Sequence, residues 1–181
     1  MSFDFRYISK YAFEYETGIP LIIFIGIIIV VCNIVLILYY TRINNRMFVR
    51  KASIYMFIGY VALVLCTTII FRTESDEMKY VLCPFKSYIG IYNKMLAQNI
   101  LNIVLFMPIG FLAGAALKKK HILNALKIGV ALSLFIEVTQ LISKRGVCNI
   151  DDVIHNTLGC VLGFACFVLC QKLMRSQLKQ C

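Results

Sequence analysis

Charged residues are scarce in this chain: they make up 15% of its 181 residues, and only nine are acidic. Hydrophobic residues account for 60%, which leaves too few polar side chains to cover the surface of a soluble domain. The shortage of charge therefore excludes a soluble globular protein. The mean hydropathy of +0.80 is typical of an integral membrane protein.

Sequence motifs of the common enzyme and metal sites are also missing. The chain has no GxSxG, no HExxH, no glycine-rich phosphate loop, and no CxxC or Cys/His spacing that suits a metal. His155 lacks a second His or a Cys at ligand spacing, so it does not indicate a metal centre. We therefore predict no metal and no cofactor, and the lack of a nucleophile motif favours a protein that is not an enzyme.

The N-terminus lacks the basic stretch and the prompt apolar run of a cleaved signal peptide. Aromatic residues recur at i, i+4 spacing within residues 1–18, which predicts a short helix lying at the membrane interface; disorder is the alternative. These aromatic residues are Phe3, Tyr7, Tyr11 and Tyr15.

Cysteine is frequent, with eight residues, but five of them lie in apolar runs, where a thiol behaves as a small hydrophobic group. Cys83 and Cys148 fall in polar connections instead, and one disulfide between them is an alternative to consider. Two free thiols are the favoured interpretation.

Five long apolar segments alternate with polar connections, at residues 19–40, 52–71, 99–117, 122–143 and 151–169. Each is close to the roughly 20 residues that cross the hydrocarbon core of a bilayer. The sequence therefore predicts an all-α fold, a polytopic transmembrane helical bundle of about five spans. Its parts are an interfacial segment at 1–18, two helices at 19–71, a core of three helices at 72–170, and a basic tail at 171–181.

Basic residues indicate the orientation of the bundle. Of the 19 Lys and Arg residues, eleven lie in the first and third connections and near the C-terminus, and eight are spread over the other, longer connections. Because cytoplasmic loops attract Lys and Arg, this predicts an outside N-terminus and a cytoplasmic C-terminus in the plasma membrane. The clustering between apolar runs also argues against nucleic-acid binding, despite the net charge of +10.

Polar residues within or beside the apolar segments fall at one depth in this topology, near the outer ends of the spans. They come from separate segments of the sequence, which predicts that they converge at the outer leaflet. The residues expected to line this site are Arg72, Asn102, Glu137, Gln140, Asp152 and Asn156.

One face of the fourth span is polar, and it carries Ser133, Glu137, Gln140 and Lys144. Glu137 lies roughly 9 Å inside the end of this span, at a rise of about 1.5 Å per residue. A carboxylate at such depth usually faces a protein interior or a wet cavity and has a partner. Either Arg72 or Lys144 provides the opposite charge, or Glu137 is protonated and hydrogen-bonded to Asn102 or Asn156.

The fifth span repeats this pattern, with one face that carries Asp152, Asn156, Gly159 and Gly163. Glycines at this spacing let a neighbouring helix approach closely, as do Gly110 and Gly114 in the third span. Asp151 and Asp152 also occupy the first turn, where carboxylates cap free N–H groups. Two interpretations remain: a functional polar pocket, which the shared depth favours, or caps and interhelical hydrogen bonds that only pack the helices.

Four short motifs, in this order and spacing, resemble the VanZ family of bacterial membrane proteins over residues 72–163. They are Pro84-Phe85, Asn102-x-x-Leu105-Phe106-x-Pro108-x-Gly110, Ser133-x-x-x-Glu137-x-x-Gln140, and Asp152-x-x-x-Asn156-x-x-Gly159-x-x-x-Gly163. One departure stands at the turn, where members commonly have Gly-Arg and then an acid, whereas this chain has Arg145-Gly146 and Asn149. If that acid is essential, this chain lacks its chemistry or uses Asp151 instead.

The resemblance implies reduced susceptibility to lipoglycopeptide antibiotics such as teicoplanin, without a change in the peptidoglycan stem. In the first hypothesis, a non-enzymatic protein binds the drug or a lipid-linked wall precursor in the polar pocket. In the second, an intramembrane enzyme modifies a lipid-linked headgroup with Glu137 or Asp152 as general base. In the third, the chain is a small accessory subunit whose polar residues only pack helices.

Overall fold

The computed structural model describes residues 18–42, 46–70, 77–85, 88, 93–117 and 121–178. Within these residues the chain forms five helices and two short strands. The helices are α1 (Gly18–Arg42), α2 (Arg46–Leu65), α3 (Asn93–Ala116), α4 (Ile122–Ser143) and α5 (Ile150–Leu178). A π-helical turn, Cys66–Ile70, extends α2, and the strands are β1 (Lys79–Val81) and β2 (Val147–Asn149).

Four of the helices are long enough and apolar enough to cross a bilayer, which confirms the predicted all-α membrane bundle. Their apolar stretches are Met47–Ile70, Leu96–Ala116, Ile122–Ser143 and Ile150–Met174. The first helix, α1, has 25 residues, and its apolar stretch among the described side chains is Ile22–Ile37. The predicted interfacial helix lies outside the described residues, which begin at Gly18 in α1.

Three helices extend beyond the apolar segments that predicted them. The observed limits are Arg46 at the start of α2, Asn93 at the start of α3 and Leu178 at the end of α5. Hydropathy marks the part of a helix that lies in hydrocarbon, whereas Lys, Arg, Gln and Met are good helix formers that continue the helix into the interface. The predicted basic tail at 171–181 is therefore helical as far as Leu178.

Helix α3 lies at the centre of the bundle and packs most extensively against α5. The predicted glycine positions make this contact close: a Cβ at Gly159 would overlap the carbonyl group of Ile103, and one at Gly163 would overlap that of Met107. On the α3 side, a Cβ at Gly110 would overlap the carbonyl oxygen of Cys160. The small residues therefore let the two backbones touch, as expected for helices packed in lipid.

The core between the helices is aliphatic and aromatic, and Tyr60 of α2 lies fully buried in it. Its hydroxyl donates a hydrogen bond to the carbonyl oxygen of Leu105 at 3.0 Å, so this polar group is satisfied inside the bundle. Large apolar side chains also cover the outer surface, among them Phe24, Phe135 and Leu169. An outside as apolar as the core is what a membrane bundle requires.

The sequence did not predict the strand pair. β1 and β2 pair in parallel, with Lys79 opposite Val147 and Val81 opposite Asn149. Three-residue strands are too short to show an alternating pattern, and the partners are far apart in sequence. β2 fills the turn between α4 and α5, where Lys144 (φ 56°) and Gly146 (φ 101°) adopt left-handed backbone conformations.

Candidate functional site

Asn149 is the centre of a buried polar cluster at the end of the bundle where the strands lie. Its backbone N–H donates to Glu137 Oε2 at 2.7 Å, and its side-chain amide donates to Asp152 Oδ1 at 3.1 Å. Its side-chain oxygen accepts the backbone N–H of Asp151 at 3.1 Å. We call Glu137, Asn149, Asp151 and Asp152 the carboxylate cluster.

Local helix chemistry explains why Asn149 occupies this place. α5 begins at Ile150, so Asn149 is the N-cap residue, and its bond to the N–H of Asp151 satisfies one of the free donors of the first turn. Asp151 and Asp152 follow in the first turn, where the positive end of the helix dipole stabilises negative charge. The first turn of α5 therefore places the carboxylates of Asp151 and Asp152 next to Asn149.

Helix α3 also contributes to the cluster. Gln98 donates to Asp152 Oδ2 at 3.1 Å, so both oxygens of that carboxylate accept hydrogen bonds from amide groups. Asp152 is 3% exposed and Glu137 is likewise buried. Buried carboxylates are costly unless they are hydrogen-bonded, and these contacts lower that cost.

The segment after β1 is fastened to the start of α5. Asp151 Oδ1 accepts the backbone N–H of Phe85 at 2.6 Å. One turn later, His155 Nδ1 contacts the carbonyl oxygen of Asp151, and His155 Nε2 lies 2.6 Å from the hydroxyl of Tyr88. A carbonyl oxygen only accepts, so Nδ1 carries a proton, and in the neutral ring Nε2 accepts the proton of the Tyr88 hydroxyl.

This fastening holds two aromatic rings at the surface. Phe85 has a left-handed backbone, with φ of 61°, a conformation that costs energy for a bulky side chain and is common at functional sites. The rings of Phe85 and Tyr88 are 6.3 Å apart, and both side chains are more than half exposed. An exposed aromatic pair, in which Phe85 has a strained backbone, is therefore bonded to buried Asp151 and His155.

A second set of polar contacts lies between the helices, outside the carboxylate cluster. Gln140 donates to the carbonyl oxygen of Thr68 at 2.8 Å, and Asn156 donates to Ser133 Oγ at 2.8 Å. Thr68 belongs to the π-helical turn, whose wider hydrogen-bond pattern turns carbonyl groups toward other partners. The side-chain oxygens of Gln140, Asn156 and Thr157 are buried and have no hydrogen-bond partner among the described residues.

The predicted site residues thus separate into two groups. Glu137 and Asp152 meet at Asn149, whereas Gln140 bonds to Thr68 and Asn156 bonds to Ser133. Asn102 is buried in α3, at 8% exposed, and Arg72 lies outside the described residues. A ligand-binding pocket lined by these residues stays a prediction.

Two details of the predicted site differ in the structure. Lys144 lies at the C-cap of α4 and is exposed, so it is not part of the buried face. The amide of Asn156 donates to Ser133, not to Glu137. Asp151 is fully buried and accepts the N–H of Phe85, so its carboxylate fastens the aromatic segment. Its use in place of the acid missing at Asn149 stays a prediction.

Sequence reasoning missed Asn149 as the centre, and it missed Gln98 and Tyr88 altogether. The N-cap position of Asn149 was readable, since Asn followed by two acids before an apolar run is a helix-start pattern. Gln98 and Tyr88 gave no local signal, because their partners Asp152 and His155 belong to a distant helix.

Cys148 of β2 lies close enough to the carboxylate cluster for the negative charge there to affect the pKa of its thiol. Burial raises the pKa of its thiol, and the negative charges of Glu137 and then Asp152 raise it further. Cys83 and Cys148 are both free thiols, as favoured from the sequence. Among the described residues, no group of three His, Cys, Asp or Glu side chains is placed to hold a metal ion.

Comparison with known proteins identifies the family. No solved structure matches the chain. Over 76 residues, the chain is 34% identical to Protein VanZ of Enterococcus faecium; this match covers 42% of the chain and 47% of that protein, so the chain spans about half the length of this curated relative. The sequence model of the VanZ/LLP1 family matches residues 24–171, which include most of α1 besides the 72–163 region that carries the predicted resemblance. The chain therefore belongs to the VanZ/LLP1 family of membrane proteins.

Proposed function

We propose that this chain lowers the susceptibility of its host to lipoglycopeptide antibiotics such as teicoplanin by binding an amphiphile at the outer leaflet. The amphiphile is the drug itself or a lipid-linked wall precursor. Family membership and the relative named Protein VanZ support this function. The orientation that fits it has the strand end of the bundle outside and the C-terminus in the cytoplasm.

One observation carries the proposal: the exposed Phe85–Tyr88 pair is bonded to Asp151 of the carboxylate cluster and to His155 one turn later. An amphiphile at a membrane surface offers an apolar part and a polar part side by side. Aromatic rings provide large and rigid contact area for the first, and a tyrosine hydroxyl reaches the second. Asp151 fixes the backbone of Phe85 and His155 fixes the hydroxyl of Tyr88, so binding loses less entropy in ordering this segment.

A comparison of two drugs distinguishes binding of an amphiphile from a general change in the cell envelope. Expression of the full chain in a susceptible host is expected to raise the inhibitory concentration of teicoplanin more than that of vancomycin, because only teicoplanin carries an acyl chain. Equal shifts for both drugs, or no shift, would contradict the proposal.

The aromatic pair can be tested with a matched variant. We expect Phe85→Ala to reduce the teicoplanin effect while the protein remains in the membrane at normal abundance. Tyr55→Ala serves as the control, because Tyr55 is an exposed aromatic residue of α2 outside this end of the bundle. Equal losses in both variants would indicate a role of Phe85 in folding or insertion alone.

An enzyme that modifies a lipid-linked headgroup is the second candidate, and the Tyr88–His155 contact favours it. A half-exposed phenol next to a buried imidazole can pass a substrate proton to His155 Nε2. Glu137 and Asp152 are less suited as bases, since both already accept hydrogen bonds from Asn149. This candidate requires an altered lipid species in mass spectra of expressing cells, its loss with Tyr88→Phe, and retention with Tyr80→Phe.

A further inference from the structure

Three large apolar side chains project from one face of the β1 segment. Met78, Tyr80 and Leu82 alternate along the extended chain, so they share a face, and they are 57%, 65% and 64% exposed. Lys79 lies between them and belongs to the opposite face. We call Met78, Tyr80 and Leu82 the strand stripe.

Exposure of the strand stripe to water is energetically unfavourable. Removal of large apolar side chains from water is favourable, and grouped apolar side chains on a surface usually mark a contact. Within the described residues β1 pairs with β2 along one edge, and that pairing leaves the stripe uncovered. A partner outside the protein is therefore expected for this face.

The depth of the strand pair indicates which partner this is. β2 does not rise above the bundle, because the N–H of Asn149 bonds to Glu137, which lies six positions before the end of α4 at Ser143. At a rise of about 1.5 Å per residue, Glu137 is roughly 9 Å below that end. β2 therefore lies beside the last turns of α4.

The same turns of α4 face lipid. Val138 and Ile142 are apolar and exposed, and Ile142 reaches 72% exposure. The hydrocarbon or its boundary therefore extends to their level. Neighbouring strands lie about 4.8 Å apart, so β1 is held at nearly the depth of β2. The strand stripe is consequently at the level of the outermost lipid-facing side chains of α4.

We propose that the strand stripe inserts into the membrane interface and that its partner is the lipid bilayer itself. Aliphatic side chains with a tyrosine suit the boundary between acyl chains and headgroups, where amphipathic aromatic rings concentrate. Lys79, on the other face, reaches the phosphate and water layer. The connection between α2 and α3 is thus an interfacial strand in this part, not an aqueous loop. This inference holds for either orientation and does not rest on the proposed function.

Because the chain has no tryptophan, one substitution introduces a unique fluorophore. The full chain is reconstituted into phosphatidylcholine vesicles as the variants Tyr80→Trp and Leu82→Trp, which report on the stripe, and Lys79→Trp, which reports on the opposite face. Phe135→Trp, at an exposed apolar position of α4, provides the lipid-facing reference. Acyl-brominated phosphatidylcholine quenches from the lipid side and iodide quenches from the water side.

We expect both stripe variants to show blue-shifted emission, a loss of fluorescence with brominated lipid, and less quenching by iodide than Lys79→Trp. Bromine near the headgroup end of the acyl chain should quench them more than bromine deep in the bilayer. Quenching by iodide alone, equal to that of Lys79→Trp, would overturn the inference and leave the strand in water. Resistance to both quenchers would also overturn it, because it would indicate a protein contact such as a second copy.

Discussion

Asn149 combines three roles in one residue, as N-cap of α5, as backbone donor to Glu137 and as amide donor to Asp152. An aspartate would cap the helix equally well and keep the backbone donor, but it would face Asp152 with oxygen instead of N–H. The amide therefore matters for its donor group. Without it, two carboxylates would meet at hydrogen-bond distance inside the protein.

Asn149→Asp is therefore expected to destabilise the protein at neutral pH. The loss should be about 1–3 kcal/mol in unfolding free energy, the cost of replacing a partly buried hydrogen bond by like-charge repulsion. Thermal unfolding in detergent measures it. The double variant Asn149→Asp/Asp152→Asn restores a donor opposite an acceptor and should regain most of the loss. A single variant as stable as the wild type would contradict the role of the amide.

The thiol of Cys148 offers a second test of charge in the cluster. Its pKa is raised by burial and then by Glu137 and Asp152, so little thiolate forms near neutral pH. Glu137→Gln removes one negative charge, which lowers the pKa of the thiol and speeds its reaction with a maleimide at pH 8. Glu137→Asp keeps the charge and should leave the rate close to that of the wild type. A rate unchanged by Glu137→Gln would show that this charge does not act on Cys148.

Elements of this fold meet through small residues and through hydrogen bonds between distant segments. The α3–α5 contact depends on Gly110, Gly159 and Gly163, where the backbones touch. β1 pairs in parallel with β2, which leads directly into α5, and the segment after β1 bonds to Asp151 and His155 of α5. Helix α5 is therefore the element on which both the core helix and the surface segment are positioned.

Alanine substitutions at two glycines separate the effect of close helix packing on stability from the effect of helix propensity. Gly159→Ala would place a methyl group against the carbonyl of Ile103, so we expect it to cost about 1–3 kcal/mol of stability. Gly59, in α2, has no neighbouring atom within 4 Å of the position that an alanine methyl group would take. Gly59→Ala should therefore be neutral or stabilising, by up to about 1 kcal/mol from helix propensity. Equal losses in thermal unfolding of both variants would contradict the close α3–α5 contact.

The elements differ in how far the sequence predicts them. Apolar segments predicted the helices because hydrophobic periodicity and length are local properties, and α4 was predicted with its observed limits, Ile122–Ser143. The close helix contact at the glycine faces was predictable from the sequence for the same reason. The pairing of β1 with β2 and the bond from Gln98 to Asp152 were not readable, because each joins segments that only the folded bundle brings together.

The whole molecule is polarised along its long axis. One end carries the carboxylate cluster, the strand pair and the fastened aromatic rings. The other end is basic: Arg50 donates to the carbonyl oxygen of Ala116 at 2.8 Å, which caps the end of α3, and Lys172 is exposed near the end of α5. Short basic connections favour the cytoplasmic side. The distribution of charge over the fold therefore supports the proposal that the strand end faces outward.

This orientation predicts which cysteine a membrane-impermeant maleimide modifies in intact cells. Cys83 is an exposed free thiol at the strand end, so it should be labelled without permeabilisation, as peptide mass spectrometry would show. Lys172→Cys places a matched exposed thiol near the opposite end, and it should be labelled only after the membrane is opened. The reverse pattern would invert the topology. It would also place the carboxylate cluster on the cytoplasmic side, where an extracellular drug could not reach the aromatic pair. The labelling result therefore decides between binding of the drug itself and a function that acts on the inner leaflet.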